Sequence, residues 1–368
     1  MREALAQHLA NLIEMEGPIP VSTFMQLALS HPEHGYYRAR AAIGAEGDFI
    51  TAPEISQLFG EMIGIWVLQS WQDLGEPLNW HLVELGPGRG TLMSDIFRVL
   101  KLRQWSLDGV QLHLVETSEP LRAAQREALG PMAAGASWHS SIDSVPPGRT
   151  IYVANEFFDA LPVRQFLKLK GVWCERRVAL GKTAPDAPIF EFIAVPTLFD
   201  VESEIANARG AADGEISEFS GGARIIAAEI GQRLSATPGR AIIIDYGYFS
   251  ERHGDTLQAL RRHQKVGPFE NIGEADLTAH VDFAALAHAA QNAGARSFGP
   301  ASQGAFLCAL GIKARLAALL QNAGGAQRQM LQRGFHRLTA PSEMGDLFRV
   351  LALSSPDLPP PPGFEAPQ

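Results

Sequence analysis

Apolar positions change period several times along the chain, and each change marks an element. Over residues 2–16, Leu5, Leu9, Leu12 and Ile13 recur at helical spacing until Gly17-Pro18 stops the run. A second helix is predicted over Val21–Leu29 with Ser22 as its N-cap. After the His31–Tyr37 turn and an aperiodic stretch at 43–56, Gln57–Leu74 carries Phe59, Met62, Ile63, Trp66 and Val67 on one face. From His81 onward the period shortens. Continuous apolar runs at 81–85, 110–115, 137–139, 150–154 and 240–244 read as strands, with helices at about 91–103, from 119, and 223–234 between them. Alternating runs at 165–169, 172–178 and 189–195 read as an antiparallel insertion.

Later segments are read more coarsely. Residues 251–290 are polar and read as a helical insertion, and Ser297–Leu310 as two strands. Helices at 313–320 and 325–333 and a last strand at 347–353 precede a tail whose prolines predict disorder. The implied organisation is an N-terminal helical region with a loop (1–75), a first core half (76–162) and a β-rich insertion (163–215). A second core half (216–353) and the tail (354–368) complete it.

Strand-like runs that alternate with helices and end in polar loops imply a parallel, doubly wound α/β sheet, with its ligand crevice at the strands' C-terminal edge. The first run ends in Glu84-Leu85-Gly86-Pro87-Gly88-Arg89-Gly90 and opens into a helical pattern at Thr91. Glycines at alternate positions let a ligand approach the backbone closely. Composition narrows the ligand. A formal charge of -9 and a pI near 5.7 argue against broad binding to nucleic acid or an anionic membrane. Cys174 and Cys308 lie far apart and no histidine spacing is metal-like, so neither a disulfide framework nor a metal site is expected. No apolar run reaches the ~18–20 residues of a membrane span, and the expected setting is the cytoplasm.

A dinucleotide turn has its third glycine where this chain has Thr91, and Glu84 two residues before Gly86 is awkward beside a pyrophosphate. Both oppose a nicotinamide-dependent dehydrogenase. An acid at 84 suits an ammonium group, so Glu84, Gly86, Gly88 and Gly90 favour S-adenosylmethionine. Glu116, at the end of the second strand, is the expected acceptor for the ribose hydroxyls. Asp143, after the third, is placed to meet the adenine amino group, with backbone as the alternative partner. Asn155 and Glu156 end the fourth strand, and Asp245 and Tyr246 are expected on the crevice rim.

Four longer stretches carry a resemblance: residues 47–61, 84–92, 155–162 (Asn-Glu-Phe-Phe-Asp-Ala-Leu-Pro) and 276–283. They resemble the MidA family of S-adenosylmethionine-dependent methyltransferases, related to a mitochondrial complex I assembly factor. The resemblance implies a seven-stranded class I methyltransferase sheet and methylation of an arginine in a protein substrate, in the mitochondrial case a complex I subunit. Paired carboxylates would orient a guanidinium, and Glu156 and Asp159 are the candidates, with Asn155 orienting acceptor or cofactor. The alternative for Asp159 is a cap on the following turn. Asp48, Thr51 and Glu54 are candidate lid residues, and His280 a candidate for the acceptor channel. Oligomeric state stays open.

Overall fold

The computed structural model describes residues 2–39, 51–102, 107, 109–181, 188–249 and 254–364. Strand β1 (Trp80–Leu85) is buried along its whole length. Its side chains alternate between two cores, as a strand's two-residue period requires. Trp80 and Leu82 join Trp66, Leu92 and Ile96 on one face, while Val83 and Leu85 join Ala227, Ile230 and Phe283 on the other.

The other strands along this sheet's main path are β2 (Val110–Val115), β3 (Ala136–His139), β4 (Thr150–Asn155), β5 (Gly239–Tyr248), β6 (Arg296–Ser302) and β7 (Phe348–Ser354). Their spatial order is β6-β7-β5-β4-β1-β2-β3. β7 runs antiparallel between β5 and β6, whereas β5, β4, β1, β2 and β3 are mutually parallel. The chain therefore enters the sheet at its centre, and the ends of β1 and β4, adjacent strands, open the crevice side by side. The α/β expectation holds, with the seven strands on that path joined by a short eighth, Val281–Asp282, parallel to β5 at Gly247–Tyr248, and helices cover both faces. Helices α1 (Gln57–Asp73) and α2 (Thr91–Leu100) lie against one core, and α3 (Gly221–Ala236) and α4 (Phe283–Asn292) against the other. Among the described residues no single helix is long and apolar enough to cross a membrane.

A second, antiparallel sheet matches the predicted insertion, but it also recruits Ile19–Pro20 from the N-terminus and Ile216–Phe219. Four expectations are overturned. Residues 254–282 are not helical: Gln258–Arg261, Gln264–Val266 and Asp276–Thr278 form a small antiparallel sheet, and helix begins only at Phe283. Its hairpin turns through Arg262 and His263, both left-handed (φ 50° and 61°), without the Asn-Gly signal that usually marks such a turn. Gln303–Ala309 is helix rather than strand, because the Ser302 hydroxyl accepts from Ala305 N and caps it. Pro20, not Ser22, stands at the N-cap of Val21–Ser30. Finally, the tail is packed as far as Phe364. Pro359 O accepts from the fully buried Arg240, and Phe364 lies against Phe306. Residues 365–368 lie outside the described residues.

Three imidazoles cross β1, β2 and β3 in a chain. His81 Nδ1 and His113 Nε2 are 2.7 Å apart, and His113 Nδ1 and His139 Nε2 2.9 Å apart. Ser144 uses its one hydroxyl proton on Ser141 O (2.8 Å), so it must accept from His139 Nδ1. That sets each ring as donor through Nδ1 toward the next. Burial, then the neighbouring imidazoles, push His113 down to about 4. The folded state thus favours the neutral ring. This contribution to stability is complete above the ordinary value of 6.5 and is lost as pH falls toward 4. Urea midpoints are expected to drop across that window, and His113→Leu to flatten the drop by about one proton's worth of slope. An unchanged acid slope in the variant would contradict this assignment.

Candidate active site

The turn after β1 is built from left-handed glycines: φ is 62°, 51° and 85° at Gly86, Gly88 and Gly90. A Cβ at Gly86 would stand 2.7 Å from Phe157 Cδ2, so only glycine lets the turn and the end of β4 meet. Glu84, two residues before, is 2% exposed, and its Oε2 has no hydrogen-bond partner among the described residues. Burial alone pushes its carboxyl up to about 8. An unsatisfied buried carboxylate is costly unless a ligand supplies the donor.

Glu116 follows β2 and is held from two sides. Its Oε1 accepts from Ser118 N at 2.7 Å, and its Oε2 faces Gln125 Nε2 at 3.4 Å. Burial raises its pKa against those hydrogen bonds. Gln125 also donates to Gly88 O (2.8 Å) and accepts from Trp138 Nε1 (2.8 Å). One buried amide therefore ties the glycine turn to the acid on the next strand. Gln125 had a signal in the sequence, since it sits between Leu121 and Leu129 on the apolar stripe of its helix.

Gly86, Gly88 and Glu116 line a cleft of about 520 Å³ together with Ser141, Asp143, Glu156 and Phe157. Tyr37 closes it from the N-terminal region, its carbonyl accepting from Ser118 Oγ at 2.6 Å. Asp143 stands exposed at the wall, its pKa lowered first by the Ser141 hydroxyl. A chamber of about 50 Å³ adjoins, sharing Gly86, Gly88 and Glu156 with the cleft; Thr51, Glu54, Glu84, Arg89 and Asn155 also line it.

Glu156, the residue after β4, is left-handed (φ 50°). Its Oε1 accepts from Ala52 N (2.9 Å) and Asn155 Nδ2 (3.1 Å). Burial is the main cause that drives its carboxyl up to about 8. Glu54 is raised by burial against the opposing charge of Arg89. Besides Glu84 Oε2, Glu54 Oε2 and Asn155 Oδ1 are buried without a partner among the described residues. A small chamber with three carboxyls and unsatisfied acceptors fits cationic ligands.

The structure does not bring every candidate here. Among the described residues lining the cleft and chamber, Asp159 and His280 are missing. Asp159 lies beneath, buried beside Tyr246, its pKa raised by burial. His280 lines a separate crevice with Phe158 and Glu218, its amide donating to Thr256 Oγ1 at 2.9 Å. Asp245 is fully buried rather than on the rim. Asp48 lies outside the described residues. Arg89 and Gln125 were not among the expected site residues.

A sheet with seven strands on its main path, one of them antiparallel, an acid before a glycine turn and an acid after the next strand define an S-adenosylmethionine-dependent methyltransferase. Residues 62–301 match the family described as "Putative S-adenosyl-L-methionine-dependent methyltransferase", and the chain belongs to that family. It is 36% identical over 373 residues to the protein arginine methyltransferase NDUFAF7 homolog, mitochondrial, of Drosophila melanogaster, covering 95% of this chain and 84% of that protein. The Rattus norvegicus protein arginine methyltransferase NDUFAF7, mitochondrial, is 37% identical over 372 residues with the same shares. A crystal structure of a superfamily member from Burkholderia thailandensis bound to S-adenosyl-homocysteine superposes with a TM-score of 0.83 at 31% identity, covering 99% of this chain and 93% of that one.

Proposed function

We propose that this methyltransferase acts on an arginine side chain of a protein. The observation that carries the reading is the chamber where Glu54, Glu84 and Glu156 converge with buried oxygens that lack partners among the described residues. Glu84 suits the ammonium of the cofactor's amino-acid end, Arg89 its carboxylate, and Glu116 the ribose hydroxyls. S-adenosylmethionine supplies an electrophilic methyl group on a sulfonium, and transfer forms an N–C bond as the C–S bond breaks.

Glu156 and Glu54 accept hydrogen bonds from the guanidinium and aim one nitrogen, with Glu54 taking the place first expected of Asp159. Glu156 takes the proton that this nitrogen loses, a task suited to a carboxyl whose pKa lies near neutrality. Relatives named protein arginine methyltransferases support the acceptor type. The MidA resemblance makes a respiratory complex I subunit the first acceptor to examine, in the cytoplasm.

The test is incubation of the protein and labelled S-adenosylmethionine with lysate from cells that lack it, followed by mass spectrometry. The expected product is a methylated arginine in a protein. Label on a small molecule would replace the acceptor class. No labelled product, with S-adenosyl-homocysteine binding intact, would favour a non-catalytic assembly factor.

A further inference from the structure

The turn that presents Glu156 is fastened to β5, not only to its own strand. Glu156 N donates to Ile244 O at 2.9 Å. One residue on, Asp245 is fully buried, and its Oδ2 accepts from both Phe158 N (3.0 Å) and Asp159 N (3.2 Å). Its Oδ1 accepts from Tyr246 N at 2.9 Å. Three amides of the turn, at 156, 158 and 159, are therefore held by two consecutive residues of the neighbouring strand. Between the strand and those amides Glu156 keeps a left-handed backbone (φ 50°). A non-glycine residue holds that conformation only where its surroundings over-determine it.

We propose that Asp245 is a positioning residue for methyl transfer: its carboxyl group holds the 156–159 turn in the shape that points Glu156 into the chamber. The proposal rests on reading Glu156 as the acceptor-facing carboxylate. The chemistry requires an aspartate. Backbone donors face both oxygens, and a carboxyl group can accept on both with or without a proton, whereas an asparagine amide sets an N–H against one of them. Whichever way that amide turns, either Tyr246 N or the Phe158–Asp159 pair loses its acceptor. An ordinary stabilising role would lower the melting temperature without singling out the turn.

Two readouts separate the cases. The first is hydrogen exchange by mass spectrometry on Asp245→Asn with S-adenosyl-homocysteine bound. Exchange in a peptide covering 155–162 is expected to speed up about tenfold or more, while 80–85 and 110–115 stay as protected as in the wild type. Unchanged exchange at 155–162 overturns the proposal, as does equal loosening of all three segments.

The second readout is the initial rate of label incorporation into lysate protein at saturating cofactor. Asp245→Asn is expected to lose about 30-fold, because misplacing a reacting group by about an ångström costs rate on that scale. If Asp245 acts through Glu156, then Asp245→Asn added to Glu156→Gln costs nothing further. A further loss of about fivefold or more in the double variant would show an independent, structural effect. Should Asp245→Asn fail to fold, Asp245→Ser, which leaves room for a water, carries both comparisons. If the wild type labels no protein, the arginine reading fails, and the exchange experiment alone decides whether Asp245 holds the turn.

Discussion

Glu156→Gln is expected to lower methyl transfer about a thousandfold while S-adenosyl-homocysteine binding stays within about threefold, the range for losing a general base or a charge-matched orienting group. The substitution keeps shape, so the new side chain's amide oxygen still accepts from Ala52 N, which in the wild type holds Glu156 Oε1 at 2.9 Å. What it loses is the capacity to take a proton, and its amide adds donors facing a guanidinium that has only donors of its own. With its carboxyl pushed up to about 8, wild-type Glu156 is protonated at lower pH and becomes a base as pH rises. The wild-type kcat/KM should therefore climb toward about pH 8 and level above it. Calorimetry and initial rates on the same preparation check both halves. Turnover within tenfold of wild type would remove Glu156 from the chemistry.

The second large effect concerns the cofactor. Glu84→Gln is expected to weaken S-adenosyl-homocysteine binding about 30- to 100-fold, equivalent to about 2–3 kcal/mol for a buried, charge-assisted contact. The pH dependence gives a sharper signature. Burial moves Glu84 from 4.5 to about 8, so near neutrality the free protein holds a proton that must leave before the carboxylate meets an ammonium. Affinity should rise with pH, by up to about tenfold per unit below pH 8, then flatten. Glu84→Gln should remove that part of the slope.

Stability follows the same linkage. The contribution of neutral Glu84 to the ligand-free fold is complete below 4.5 and is lost as pH rises through about 8. Ligand should therefore raise the melting temperature more at pH 8.5 than at 6.5. A wild-type affinity that is flat between pH 6 and 8 would sink this account.

The legible parts of the candidate site were those encoded locally. Glu84, the glycines and Glu116 sit where a short apolar run stops, and a run's end is visible without knowing its neighbours. Asn155 and Glu156 were legible for the same reason. Residues that meet from distant segments were not. Asp159 lies three positions beyond Glu156, yet the turn buries it outside the chamber's lining, and Glu54, about a hundred positions earlier, takes the wall beside Glu156. Asp245 resembles any other acid ending a strand until its carboxylate is seen to bind the amides of another turn. His280 sits within a stretch that resembles family motifs, and the fold gives it a different crevice.

The same division runs through the fold. Parallel strands and their helices were readable because burial on two faces makes continuous apolar runs. The hairpin at Arg262-His263, the helix at Gln303–Ala309 and the packed tail were misread because their determinants are not periodic. They are a left-handed turn without glycine, a single hydroxyl cap and a buried Arg240 that recruits Pro359 O.

By itself the sequence determined the class of sheet, the cofactor and the acids that end its strands, since each depends on residues within a few positions of one another. Only the tertiary structure decided which carboxyls share the chamber, because that depends on strand order and on how one left-handed residue, Glu156, turns the chain after β4.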